Sequence, residues 1–90
     1  MKISPKDCLL IVEKIFSEEC YAFIKSKEYT GFLSLIDEDD KNILRRNYRA
    51  IAKDAAQHYV DKYDPNLEDE SLINKAFNDS IHIALKKYKQ

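Results

Sequence analysis

Hydrophobic positions along this chain recur with the 3.6-residue period of a helix, and no stretch alternates with a strand period for more than a few residues. The first periodic segment runs from Pro5 to about Lys25. Ser4 is placed to cap it, Pro5 suits the first helical position, and Asp7 puts negative charge where the helix dipole favours it. Projected at 100° per residue, its apolar side chains, among them Cys8, Val12, Ile15, Phe16, Cys20 and Phe23, fill an arc of about 220°. That breadth predicts a central helix touched by neighbours on several faces. Leu10 and Tyr21 project to the opposite side, and Glu19 projects into the middle of the apolar arc.

A short element follows between Tyr29 and Ile36. Phe32, Leu33, Leu35 and Ile36 suit one or two helical turns dropped onto the core, with Thr30 as their cap. The next segment begins after the acidic run Asp37 to Asp40 and extends to about Tyr63. Leu44, Tyr48, Ile51, Ala55 and Tyr59 share an arc of about 140°, the pattern of an amphipathic helix. Ala52, Ala55 and Ala56 on that side permit close approach of another helix. Asp64-Pro65-Asn66 ends the segment, because the residue before proline is pushed out of helical conformation. The last helix starts between Glu68 and Ser71 and reaches about Lys87. Ile73, Phe77, Ile81, Ala84 and Tyr88 form its main stripe, widened by Leu72, Ala76 and Ile83. Acids stand at its start and lysines at its end, matching the helix dipole.

These elements predict an all-α fold: a single domain over residues 1–90, built as a small antiparallel bundle of three long helices plus one short helix. Composition agrees. One glycine, Gly31, and two prolines, Pro5 and Pro65, leave few places to turn, and each stands at an element boundary or in the short element. The same scarcity removes the phosphate-cradling glycine loop, the nucleophile elbow and the dinucleotide fingerprint. With 44% hydrophobic residues and a net charge of −1, the chain can fold but is no general nucleic-acid binder. No apolar run approaches the roughly 18 residues of a membrane span, and the polar start lacks a signal-peptide core, so a cytoplasmic location is expected.

Candidate chemistry is sparse. Cys8 and Cys20 lie on one predicted helix, roughly 18 Å apart, which is too far for a disulfide, and read as reduced thiols acting as small hydrophobes. The acidic run Asp37 to Asp40 lacks the glycine and glutamate of a calcium loop and reads as a helix-capping cluster. Cys8, Cys20, His58 and His82 lack zinc-ligand spacing. No metal, cofactor or catalytic residue is therefore assigned, and no enzymatic activity is expected. Asn78-Asp79-Ser80-Ile81 superficially matches a phosphopantetheine attachment motif, but Ser80 lies mid-helix rather than at a helix start. Glu19 is the one carboxylate facing the apolar side: a buried acid, or one paired with a basic or tyrosine partner at the core's edge.

The strongest functional feature is basic. Arg45, Arg46, Arg49 and Lys53 project onto one stripe about 100° wide, with Tyr48 beside it and no acid inside it. Arginine forks recognise carboxylate or phosphate, and tyrosine and arginine are typical interface anchors. The plainer alternative is a solvated face paired with acids such as Glu13, Glu18 and Glu28 on neighbouring elements. The expectation is a small non-catalytic regulatory module that binds another protein, of the inhibitor, immunity or phage-regulator kind. A nucleic-acid-binding domain using the basic stripe is the alternative. A homodimer through the wide apolar faces of the first and last helices is a further expectation.

Overall fold

The structure, a computed structural model, describes residues 4–29, 31, 33, 36–63 and 67–89. Among them are three helices and no strand: α1 (Pro5–Lys25), α2 (Glu38–Lys62) and α3 (Glu70–Tyr88). Each starts on a short polar side chain that accepts the backbone N–H three residues on. Ser4 Oγ caps Asp7 at 3.2 Å, Asp37 Oδ1 caps Asp40 at 2.8 Å, and Asp69 Oδ1 caps Leu72 at 3.1 Å. The acidic run before α2 therefore serves that helix's own N-terminus, its first turn carrying Glu38, Asp39 and Asp40. A basic residue closes the last turn of every helix, Lys25 on α1, Lys62 on α2, and both Lys86 and Lys87 on α3.

Among the described residues the short fourth helix is not found. Thr30, Phe32 and Leu35 lie outside the described residues, and Tyr29, Gly31, Leu33 and Ile36 are not helical. The physical reason is a change of partner. A helical turn would send the Leu33 N–H to the Tyr29 carbonyl, whereas it bonds the Tyr29 side-chain hydroxyl at 2.9 Å. That hydroxyl in turn donates to Glu19 Oε2 at 2.6 Å, and the Tyr29 ring stands edge-on to Phe23 with centroids 5.2 Å apart. The turn Asp64-Pro65-Asn66 also lies outside the described residues.

Gly31 serves this knot by its size. Its φ is not positive, so no left-handed backbone requires glycine here. A β-carbon at this position would overlap Glu19 Oε2 and the Tyr29 hydroxyl. Gly31→Ala is expected to lower unfolding free energy by about 1–3 kcal/mol, because the hydrogen-bonded pair must part to admit the methyl group. Urea denaturation checks this, and most of the loss should vanish in a Tyr29→Ala background.

The central helix is α2, not α1. It packs along both other helices, while the α1 and α3 backbones barely approach each other. Those two meet through side chains, the Phe16 ring of α1 standing 4.8 Å from Phe77 of α3, while Tyr59 of α2 lies 5.9 Å from the same ring. The fully buried Ala52, Ala55 and Ala56 let α2 sit close to its neighbours. The width of the α1 arc misled because part of it is uncovered: Ile11 is 40% exposed and Ala22 is also on the surface. The molecule is correspondingly flat, with principal extents of 41 × 29 × 16 Å.

At the far end of the bundle the α3 C-terminus returns to the α2 N-terminus. Lys89 Nζ lies 2.7 Å from the buried Asp40 carboxylate. The pair is close but poorly aligned as a hydrogen bond, so Asp40 Oδ1 is held by charge attraction. The carboxylate raises the Lys89 pKa above its ordinary value.

Candidate interaction surface

The basic stripe is on the surface, but α2 does not present it as one row. Asn47 departs from helical geometry (φ −133°, ψ 25°) and kinks the helix. Its side-chain amide donates to the Ile43 carbonyl at 3.5 Å, the group that a regular helix reserves for the Asn47 N–H. The kink falls between Arg46 and Arg49. Arg46 opens onto a groove with Asp39, Tyr88 and Lys89, where α3 ends. Arg49 opens onto a different groove, shared with Glu13, Ser17, Glu18 and Tyr21 of α1. Arg45 donates to Asn42 Oδ1 at 3.2 Å on its own helix, and Lys53 is exposed.

The acids Glu13, Glu18 and Glu28 make no ion pair with this face. Among the described residues the ion pairs are Lys41 with Glu38 and Lys89 with Asp40, and none involves Arg45, Arg46, Arg49 or Lys53. Arg49 is anchored by an aromatic partner. Its Nε donates to the Tyr48 hydroxyl at 3.3 Å, and its guanidinium lies over the Tyr48 ring, 5.8 Å from the centroid. That hydrogen bond raises the Arg49 pKa further above its ordinary value.

Tyr48 also joins the two helices across the groove, with its ring centroid 6.0 Å from that of Tyr21. Tyr21 is 50% exposed, and the Lys25 ammonium lies 5.7 Å from its ring. Leu10, 58% exposed, lies eleven residues, about three turns, before Tyr21, so both share one side of α1. The result is a Leu–Tyr–Tyr–Arg strip along the α1–α2 junction, with Leu10, Tyr21 and Arg49 exposed and Tyr48 half-buried. Tyr21 and Leu10 are absent from the basic stripe, yet they project together away from the apolar arc, which was the sequence signal for them.

Glu19 is half-buried rather than buried, and Tyr29 holds it. Cys8 and Cys20 are buried free thiols. Burial first, and then the charge of Glu19, push the Cys20 thiol up to about 12. His58 Nδ1 and Ser80 Oγ are hydrogen-bonded at 2.8 Å across the α2–α3 contact, a pairing that spacing did not reveal. Ser80 has no exposed surface, so in this arrangement its hydroxyl cannot meet a substrate. The neighbouring Asp79 accepts from the Tyr63 hydroxyl at 2.8 Å instead of orienting the imidazole, and this raises the Tyr63 pKa. The His58–Ser80 pair therefore clips two helices together. Among the described residues no group of three or more His, Cys, Asp or Glu side chains could hold a metal ion, and no helix is long and apolar enough to cross a membrane.

On α3, Ile73, Phe77, Ile81 and Ala84 of the main stripe are buried and Tyr88 is half-buried; Ala76 and Leu85 are buried beside them, and Ile83 is 42% exposed. Comparison with protein-family models, with curated proteins and with solved structures finds no match to this chain.

Proposed function

We propose that the protein is a small non-catalytic binding module that engages another protein surface through the α1–α2 junction. The observation that carries this reading is the surface Tyr21–Tyr48–Arg49 cluster, in which Tyr21 and Arg49 are exposed, Tyr48 is half-buried and the guanidinium has no ion-pair partner among the described residues. Tyrosine and arginine dominate interface hot spots because they combine large rigid area with directional hydrogen bonds. Here the tyrosines give the helices their contact while leaving ring surface open, so the cluster is held in place before a partner arrives.

Mixed charge favours protein over nucleic acid as that partner. A phosphate backbone following the basic stripe would pass Asp39 beside Arg46, then Glu13 and Glu18 beside Arg49. A protein surface can answer both signs within one footprint.

Placing a photo-crosslinking residue at position 21 tests the proposal in the native cell. An adduct to a protein is expected there. Recovery of the free chain alone would contradict the reading.

A further inference from the structure

Asp40 is 7% exposed, and its Oδ1 is buried with no aligned hydrogen-bond donor. A carboxylate taken out of water needs donors or a counter-charge, and one left with neither is costly. Among the described residues its ion pair is with Lys89, whose Nζ lies 2.7 Å from Oδ1. The other nearby cations are not engaged with it. Lys41 pairs with Glu38 at 3.8 Å, and Arg46, which lines the same groove as Lys89, makes no ion pair among the described residues. Asp37 and Asp39 are exposed and add negative charge around Lys89. A buried charge in the first turn of α2 thus depends on a lysine at the end of α3.

The lysine side of the pair is the loose one. Lys89 is the C-cap of α3, and its side chain is 43% exposed. Its N–H reaches the Lys86 carbonyl at 3.4 Å, a long bond to the third residue back. Lys86 and Lys87 beside it are exposed. Such last turns open locally at low free energy. Opening here replaces Lys89 with water at Asp40, so the Lys89 charge decides between the closed and the open arrangement. Opening also withdraws Tyr88 and Lys89 from the groove that they line with Asn42, Ile43 and Arg46.

We propose that the last turn of α3 is a charge-operated latch, held against the start of α2 by Lys89 on the buried Asp40 and released when that charge is removed or screened.

Residue-resolved amide hydrogen exchange on the full chain tests it, in the wild type and in Lys89→Gln, Lys89→Arg, Asp40→Asn and Asp40→Asn/Lys89→Gln. In the wild type, amides 85–88 should exchange faster than those of Phe16 and Phe77, because they open without global unfolding. Lys89→Gln should speed amides 85–88 about tenfold or more, since it strands the buried carboxylate. Lys89→Arg keeps the charge and should stay within about threefold of the wild type. Lys89→Gln in the Asp40→Asn background should change these amides less than about twofold, because no buried charge is left to strand. Raising salt from about 0.01 to 1 M should speed the same amides several-fold in the wild type and leave Asp40→Asn unaffected. A speed-up by Lys89→Gln that persists in the Asp40→Asn background overturns the latch, because the lysine then acts on the helix dipole and not on Asp40. Equal rates in Lys89→Gln and the wild type overturn it, and so does a wild type indifferent to salt.

Discussion

Phe16→Ala is expected to lower the unfolding free energy by about 3–5 kcal/mol, the range for truncating a fully buried phenylalanine. Phe16 has no exposed surface, and its ring is where all three helices meet: it stacks on Tyr59 of α2 at 28° and stands edge-on to Phe77 of α3 at 67°. The α1 and α3 backbones scarcely touch, so few other contacts can close the cavity left behind. A domain of this length has a total stability of about 5–13 kcal/mol, and the loss is therefore a large share of it. The midpoint of thermal unfolding should fall by well over about 10 °C. Leu10→Ala is the matched comparison. Leu10 is 58% exposed, and its truncation should change stability by about 0.5 kcal/mol or less. A Phe16→Ala variant that unfolds within about 1 kcal/mol of the wild type would mean the core is not organised around this ring.

The second large effect is on pH dependence. Burial and the nearby Glu19 charge raise the Cys20 pKa from the ordinary 9.0 to about 12. Below pH 9 the thiol is neutral in both folded and unfolded chains, so it adds no pH dependence. Above pH 9 the unfolded chain releases the proton, whereas the folded chain keeps it until about 12. Ionisation then favours unfolding, by about 1.4 kcal/mol per pH unit and about 4 kcal/mol across the window. The tyrosines also titrate there, so the measured quantity is the difference between the wild type and Cys20→Ala. That difference should be flat below pH 9 and should move against the wild type as pH rises. A difference independent of pH up to 11 would show that the folded thiol ionises freely. The same burial predicts that a maleimide reagent at pH 8 modifies Cys20 only as fast as the chain opens.

Much of this architecture was legible because helix boundaries are local. Ser4, Asp37 and Asp69 announce their helices by side-chain chemistry that acts over three residues, and all three cap as such residues do. Tertiary choices were not legible. An apolar arc counts the apolar residues on a helix but does not say which of them a neighbour covers. Hence α1 read as central, while the helix with the narrower stripe and three alanines occupies the middle. The fourth helix read from Phe32, Leu33, Leu35 and Ile36 failed at Tyr29 and Leu33, where a side-chain hydroxyl took the bond a helix would have used.

The interaction surface was half legible. Arg45, Arg46, Arg49 and Lys53 do lie on the surface, but a projection at a constant 100° assumes a straight helix, and Asn47 breaks it between the second and third arginines. Asparagine in mid-helix was the available warning, since its amide competes with the backbone. Glu19 stood out correctly as unusual, although its tyrosine partner lies ten residues away on an irregular segment that periodicity cannot place. His58 and Ser80 are twenty-two residues apart, and only the antiparallel packing of α2 and α3 joins them.

The claim that matters most is that this flat helical domain meets its partner through the α1–α2 junction and not through another face. Site-specific photo-crosslinking in the native cell, with the probe at Tyr21, Arg49 or Ile83 in separate strains, measures it directly. Tyr21 and Arg49 lie on the proposed surface, while Ile83 is the exposed large apolar side chain on α3. The account predicts protein adducts, to a second copy of this chain or to another protein, from positions 21 and 49 and none from position 83. Adducts from position 83 with none from 21 and 49 would contradict it.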